Sequence, residues 1–114
     1  MKKFILVFLL VSSPVFAGSI VETWVSDVVV NNGHVTYTFN TYMPIENDMI
    51  LAKNRRDYIC SQNKEAVLWG TATYLTTGKT VDYTKLIDPD KLRKYGSLNE
   101  FDMERIQQII PYCR

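Results

Sequence analysis

The tripeptide Gly78-Lys79-Thr80 is the stretch whose residue types most suggest chemistry, because a nucleotide-binding P-loop ends in this way. A P-loop also needs an earlier glycine where the backbone curves around the phosphates, and Thr73 occupies that position. The residues after the lysine, TVDYT, alternate like a strand, whereas a P-loop continues into a helix. We therefore predict that TATYLTTGKTVDYT is a β-hairpin in which Gly78 adopts a positive φ.

Candidate catalytic side chains are few. The single histidine, His34, follows Gly33 in a predicted turn and is expected to be solvated rather than to act as a base. Five carboxylates near the carboxyl end are candidates for acid–base hydrolysis of a glycan, although predicted helix starts favour a structural role for them. They are Asp88, Asp90, Glu100, Asp102 and Glu104. The sequence thus predicts no catalytic residues, and the DPDKL segment lacks the further oxygen ligands of a calcium loop, so no metal or cofactor is expected.

Basic residues form two clusters, KNRR and KLRK, each with acidic residues nearby. Such clusters are usually solvated faces of helices, and the alternative is a docking surface for an acidic partner or for a polymer such as peptidoglycan. The residues of this possible docking surface are Lys53, Arg55, Arg56, Lys91, Arg93 and Lys94.

The amino-terminal stretch has the pattern of a secretory signal peptide. Two lysines precede an apolar run from Phe4 to Val11, and Val15 and Ala17 supply the small residues before a cleavage site. The apolar run is too short for a transmembrane helix, which needs about 20 residues. We predict cleavage between Ala17 and Gly18, and a mature chain that is soluble and not stably inserted in a membrane.

The two cysteines, Cys60 and Cys113, are predicted to form a disulfide. Closing a loop of about 54 residues would stabilise the fold by roughly 4 kcal/mol in the chain-entropy model. The alternatives are a metal site, which would need further ligands at short spacing, and a reactive thiol. An exported chain with a disulfide points to a Gram-negative periplasm or to secretion.

Composition limits the mature protein to one small domain over residues 18–114. Removal of 17 residues from 114 leaves 97, and the loss of Lys2 and Lys3 leaves 11 basic residues against 12 acidic ones. A chain so close to neutrality lacks the basic face that a general nucleic-acid binder needs. Hydrophobic residues make up 46% of the sequence, which favours a folded core over disorder.

Periodicity suggests both strands and helices. The segments 20–30 and 34–42 predict a long β-hairpin with a turn at NNG. Helices are predicted at about 49–60, where END offers capping groups, and at 98–110, where Ser97 and Glu100 form a capping box. Shorter helical segments are expected at 61–69 and 88–96. The expected fold class is α+β: one antiparallel sheet from two hairpins, with two or three short helices on one face.

The sequence has an export signal, a predicted disulfide and no convincing set of catalytic side chains. We therefore expect a non-catalytic periplasmic interaction protein, an accessory factor or modulator of an envelope assembly of the secretion or conjugation type. The alternatives are an inhibitor of an envelope enzyme such as lysozyme and, less favoured, a small glycan hydrolase that uses carboxylates.

Overall fold

The computed structural model describes residues 22–114, so the predicted signal peptide and its cleavage site lie outside the described part of the chain. One antiparallel sheet dominates it, with the strand order β1-β2-β3-β4-β5 and a short β6 that also pairs with β4. The elements are β1 (Glu22–Asn31), β2 (His34–Ile45), β3 (Asp48–Ile59), β4 (Lys64–Tyr74), β5 (Thr80–Asp82), β6 (Gly96–Ser97) and a single short helix, α1 (Met103–Gln107). No helix among residues 22–114 is long and apolar enough to cross a membrane.

Both predicted hairpins are confirmed. β1 pairs with β2 from Glu22 to Asn31, with a shift of register between Ser26 and Val29, and Gly33 takes a φ of 79° in the turn. The end of β4 pairs with β5, and Gly78 has a φ of 75° in the connection. The P-loop-like tripeptide is therefore a turn and the start of a strand.

The predicted helix at 49–60 is wrong, because this segment is β3. It pairs along its whole length with β2 and along most of it with β4. Hydrogen bonding to two neighbours outweighs the weak helical preference of a segment whose apolar stripe was imperfect. Asp48, predicted to cap the helix, closes a turn instead, since its Oδ1 accepts from the Met49 amide at 2.7 Å and from the Thr76 hydroxyl at 2.6 Å.

The α+β fold class is consequently wrong, and the chain is a mostly antiparallel β protein with one helix in its described part. The segment 61–69 forms a turn and most of β4, and 88–96 is a turn tied to β4 by the Arg93 amide, which donates to the Val67 carbonyl at 2.7 Å. Of the long helix predicted at 98–110, only Met103–Gln107 is α-helical, followed by a 3-10 turn at Ile110–Cys113.

The core lies between one face of the sheet and the carboxyl-terminal segment. Five fully or almost fully buried side chains form it: Val35, Tyr37, Tyr58, Ile106 and Ile109. The strands β2 and β3 supply three of these residues, α1 supplies Ile106, and Ile109 follows the helix. The segment after β6 therefore acts as a cover for one half of the sheet.

The predicted disulfide between Cys60 and Cys113 is present, with 5.8 Å between the Cα atoms. Cys60 directly follows β3 rather than a helix, and both sulfur-bearing residues pack against the core. The bond therefore holds the end of the cover against the sheet.

Breaking the disulfide should release this cover. The variants Cys60→Ser and Cys113→Ser are each expected to lower the free energy of unfolding by about 2 to 5 kcal/mol. Limited proteolysis should then cut within residues 98–114 well before the sheet is degraded, whereas the oxidised protein should resist. Unchanged cleavage in both variants would contradict a clamping role.

Position 70 in β4 requires a glycine, because the ring of Tyr83 lies against its Cα. A Cβ at this position would overlap Cε2 of Tyr83, whose ring lies on the glycine and whose hydroxyl accepts from Nδ2 of the Asn54 side chain at 3.1 Å. The Tyr83 amide also donates to the Gly70 carbonyl at 2.9 Å, so the ring is held in place. Any side chain at position 70 must displace the connection after β5.

Gly70→Ala should therefore destabilise the protein by about 1 to 3 kcal/mol, the usual cost of overpacking a well-filled site. Gly96→Ala is the matched control, since nothing lies within 4 Å of a Cβ added there. Urea denaturation of the two variants measures the difference. If both unfold at the same urea concentration, the packing of Tyr83 on Gly70 does not matter for stability.

Candidate functional site

A buried polar network joins the cover to the sheet. Nε of Arg105 in α1 donates to the Tyr37 hydroxyl at 2.8 Å, and Nη2 of Arg105 lies 2.6 Å from Oε1 of Glu65. The Tyr37 hydroxyl donates to Oε2 of the same carboxylate. Arg56 completes the group from β3, with Nη1 at 2.9 Å from Oε1 of Glu65. Three strands and the helix thus converge on one carboxylate.

The opposite charges in this network form ion pairs with each other. Only 3% of the Glu65 side chain and 9% of the Arg105 side chain are exposed, so an unpaired charge at either position would be costly. Burial and the Glu65 charge raise the pKa of Tyr37, which therefore remains a neutral donor. Burial alone would lower the pKa of Arg105, but the charge of Glu65 and its hydrogen bonds raise it, so the guanidinium stays charged.

The turn before α1 is fixed by two reciprocal hydrogen bonds. The Asn99 amide donates to Oδ2 of Asp102 at 3.1 Å, and the Asp102 amide donates to Oδ1 of Asn99 at 3.0 Å. Oδ1 of Asp102 also accepts from Arg105 at 3.3 Å. The turn therefore presents Phe101 outward from a rigid base, and 86% of this aromatic residue is exposed. A depression beside it is lined by Thr23, Phe39, Phe101, Glu104, Arg105 and Gln108.

The basic residues of the predicted docking surface do not form one surface. Arg56, Lys91 and Lys94 line a single depression between β4, β6 and the turn before α1. Arg55 points to the opposite face of the sheet, because neighbouring residues of a strand alternate, and its Nη1 donates to the Thr38 hydroxyl at 2.8 Å. Lys53 shares that alternation with Arg55, and Arg93 lines a separate depression with Trp69.

His34 has a partner that the sequence did not reveal. Its Nδ1 lies 2.7 Å from Oδ2 of Asp57, and the same oxygen accepts from the Tyr95 hydroxyl at 2.5 Å. The Thr36 hydroxyl donates to the other oxygen at 3.0 Å. The hydrogen bond from the Tyr95 hydroxyl to Asp57 raises the pKa of Tyr95. The cluster ties the start of β2, β3 and the residue before β6 together. His34 thus has a carboxylate partner, while 39% of its side chain remains exposed to solvent.

The five candidate carboxylates are dispersed. Asp88 is exposed and accepts from the Asp90 amide at 2.9 Å, and Glu100 is exposed. Glu104 lies in the depression beside Phe101, whereas Asp90 and Asp102 line the basic depression. Both oxygens of Asp102 are already occupied by hydrogen bonds. The depression thus offers one carboxylate without an ion-pair partner among the described residues, Asp90, rather than an acid and a base.

Within residues 22–114 no group of three or more histidine, cysteine, aspartate or glutamate side chains is arranged to hold a metal ion. Comparison of the sequence with protein-family models and curated proteins, and of the structure with solved structures, finds no match.

Replacing the central arginine tests the buried network. Arg105→Met should lower the free energy of unfolding by about 2 to 4 kcal/mol, somewhat less than a fully broken buried pair, because Arg56 still contacts Glu65. Arg93→Met, a change of the same type at an exposed residue, should have little effect.

A double variant gives the stricter test. The double variant with Glu65→Met and Arg105→Met should lose less free energy of unfolding than the two single variants together. The reason is that the double variant leaves no buried carboxylate without its main partner. Additive losses in thermal or urea unfolding would show that the two charges do not stabilise each other.

Proposed function

We propose that the protein is a non-catalytic, exported interaction module that acts in the periplasm as an accessory factor or modulator of an envelope assembly. The predicted signal peptide supports the location, and the disulfide fits an oxidising compartment. The observation that carries the proposal is Phe101, an aromatic side chain held outward by a turn that is hydrogen-bonded on both sides.

An exposed phenylalanine on a rigid base favours binding. Burying such a ring in an apolar pocket stabilises a complex by roughly 1.5 to 3 kcal/mol. Little conformational freedom is lost on binding, because the backbone on either side is already fixed by Asn99 and Asp102. Aromatic anchors of this kind carry much of the affinity in protein interfaces.

The surroundings of Phe101 suit a protein partner. Glu104 and Gln108 give the depression beside the ring a polar rim, and Phe39 contributes an apolar floor next to the buried guanidinium of Arg105. An apolar centre with a polar rim is the usual anatomy of such interfaces. The partner we propose is a folded envelope protein that offers an apolar pocket to the ring.

An inhibitor of an envelope enzyme remains the second candidate, because a rigid turn with a protruding side chain also suits insertion into an active site. The two functions differ in their readout. An inhibitor should reduce the activity of purified lysozyme at a one-to-one ratio, whereas an accessory factor should leave it unchanged. A carboxylate-dependent hydrolase is favoured less, since Asp102 is fully hydrogen-bonded and Asp90 has no second free carboxylate in the same depression.

Photo-crosslinking at position 101 tests the proposal. With p-benzoylphenylalanine in place of Phe101, irradiated cells should yield a crosslink to a defined envelope protein. The same label at Leu86, which is 85% exposed in the 3-10 turn Thr84–Leu86, is the matched control and should not give that product.

The identified partner should then be purified and its affinity measured. Phe101→Ala should weaken binding by about 2 kcal/mol or more, as expected for an aromatic anchor, whereas Leu86→Ala should change it little. Both variants should retain the unfolding temperature of the native protein. Equal affinity of the Phe101→Ala variant and the native protein would rule out Phe101 as the anchor.

A further inference from the structure

We propose that the depression lined by Arg56, Lys91 and Lys94 binds the terminal carboxylate of a peptide whose last side chain is apolar. The depression has a volume of about 330 Å³ and lies between β4, β6 and the turn before α1. Ligand pockets span about 300 to 1,000 Å³, so this one accommodates a single terminal residue rather than a long segment. The inference does not depend on the proposed partner of Phe101.

The charges around the depression favour one negative charge. The carboxylates of Glu65 and Asp102 are neutralised by Arg56 and Arg105, with which they form ion pairs. The remaining charged groups are the two ammonium groups of Lys91 and Lys94 and the carboxylate of Asp90. None of these three has an ion-pair partner among residues 22–114. The balance is one positive charge, which matches a carboxylate better than a doubly charged phosphate.

Hydrogen-bond donors without a partner line the same depression. Nε of Arg56 donates to Oδ1 of Asn54 at 2.7 Å, and its Nη1 donates to Oε1 of Glu65 at 2.9 Å. Nη2 of Arg56 is left without a partner among the described residues. Asn99 uses Oδ1 within the turn, so its Nδ2 is likewise available in the described structure. Ser97 also lines the depression. Charge-assisted hydrogen bonds from such donors are the strong ones for a carboxylate.

The depression also has apolar lining residues, which a carboxylate group alone would leave without a contact. Val67, which is 8% exposed, and Leu98, which packs against the core, both line the depression. A carboxylate next to an apolar side chain places its charge near the lysines and its carbon atoms against these two residues. The carboxyl end of a peptide has this combination of groups.

Nuclear magnetic resonance titration of the full mature protein provides the test. The probes are N-acetyl-alanyl-leucine with a free carboxylate, the same dipeptide as its carboxyl-terminal amide, sodium acetate and inorganic phosphate. The free acid should shift the amide signals of Ser97, Leu98 and Asn99, and it should bind more tightly than acetate and phosphate. Binding should weaken as salt is added, because both lysines are exposed to solvent.

Two variants localise the effect. Lys91→Gln combined with Lys94→Gln should weaken binding of the free acid about tenfold, since two charge-assisted contacts are lost. Lys79→Gln, an exposed lysine in the β4–β5 connection, is the matched control and should leave the affinity unchanged. All three residues are exposed, so the fold should be retained.

Several results would overturn the proposal. Equal shifts with the amide would show that the carboxylate is not recognised, and tighter binding of phosphate would point to a different anion. Tighter or equal binding of acetate would exclude a role for the apolar side chain. Shifts that avoid residues 96–99, or an unchanged affinity of the double lysine variant, would place the site elsewhere.

Discussion

The carboxylate of Glu65 is the group on which the placement of the carboxyl-terminal cover depends, because Arg105, Tyr37 and Arg56 all converge on it. The apolar side chains on one face of this sheet would be exposed to solvent without the carboxyl-terminal cover. The cover itself contains only one short helix. A helix of five residues has no stability of its own in water. The buried ion pair therefore determines where the cover sits on the sheet, and a shift of one residue along α1 would leave Glu65 without Arg105.

The disulfide and the ion pair act at different ends of the cover. Arg105 fixes the helix above β2 and β4, and Cys113 joins the chain to the end of β3. Ile106 and Ile109 lie between these two attachments and are fully buried. Two fixed points with apolar side chains between them define the path of a segment that has little regular secondary structure. The turn at Asn99 and Asp102 lies on the other side of Arg105, between β6 and this ion pair.

Local patterns predicted the two hairpins and the disulfide, because strict alternation, turn glycines and an even cysteine count are visible in the sequence itself. The helix predicted at 49–60 was wrong for a physical reason. Polar residues such as Asn54 and Arg56 obscured the alternation of β3, since they face the covered side and are satisfied there by Tyr83 and Glu65. Their partners are distant in sequence. Pairs of this kind, including His34 with Asp57, leave no local signal.

The division of the basic residues follows from the same alternation. Arg55 and Arg56 are adjacent in sequence, yet strand geometry sends one to each face of the sheet, so a cluster such as KNRR does not form one charged surface. Arg56 instead meets Lys91 and Lys94, which the turn at 88–96 brings to the edge of β4. A basic surface in a β protein thus has to be assembled from different segments, and it depends on the hydrogen bonds that fix those segments.

The turn at Asn99 and Asp102 belongs to both proposed surfaces. These two residues line the basic depression, and Phe101 between them projects to the outside. A partner that places a carboxyl terminus in the depression and an apolar pocket over Phe101 would make the second contact intramolecularly, so the two modest contacts would reinforce each other. The hydrogen bonds within the turn fix the relative positions of the two contacts, which makes the spacing between carboxylate and pocket a criterion by which this protein would discriminate among partners.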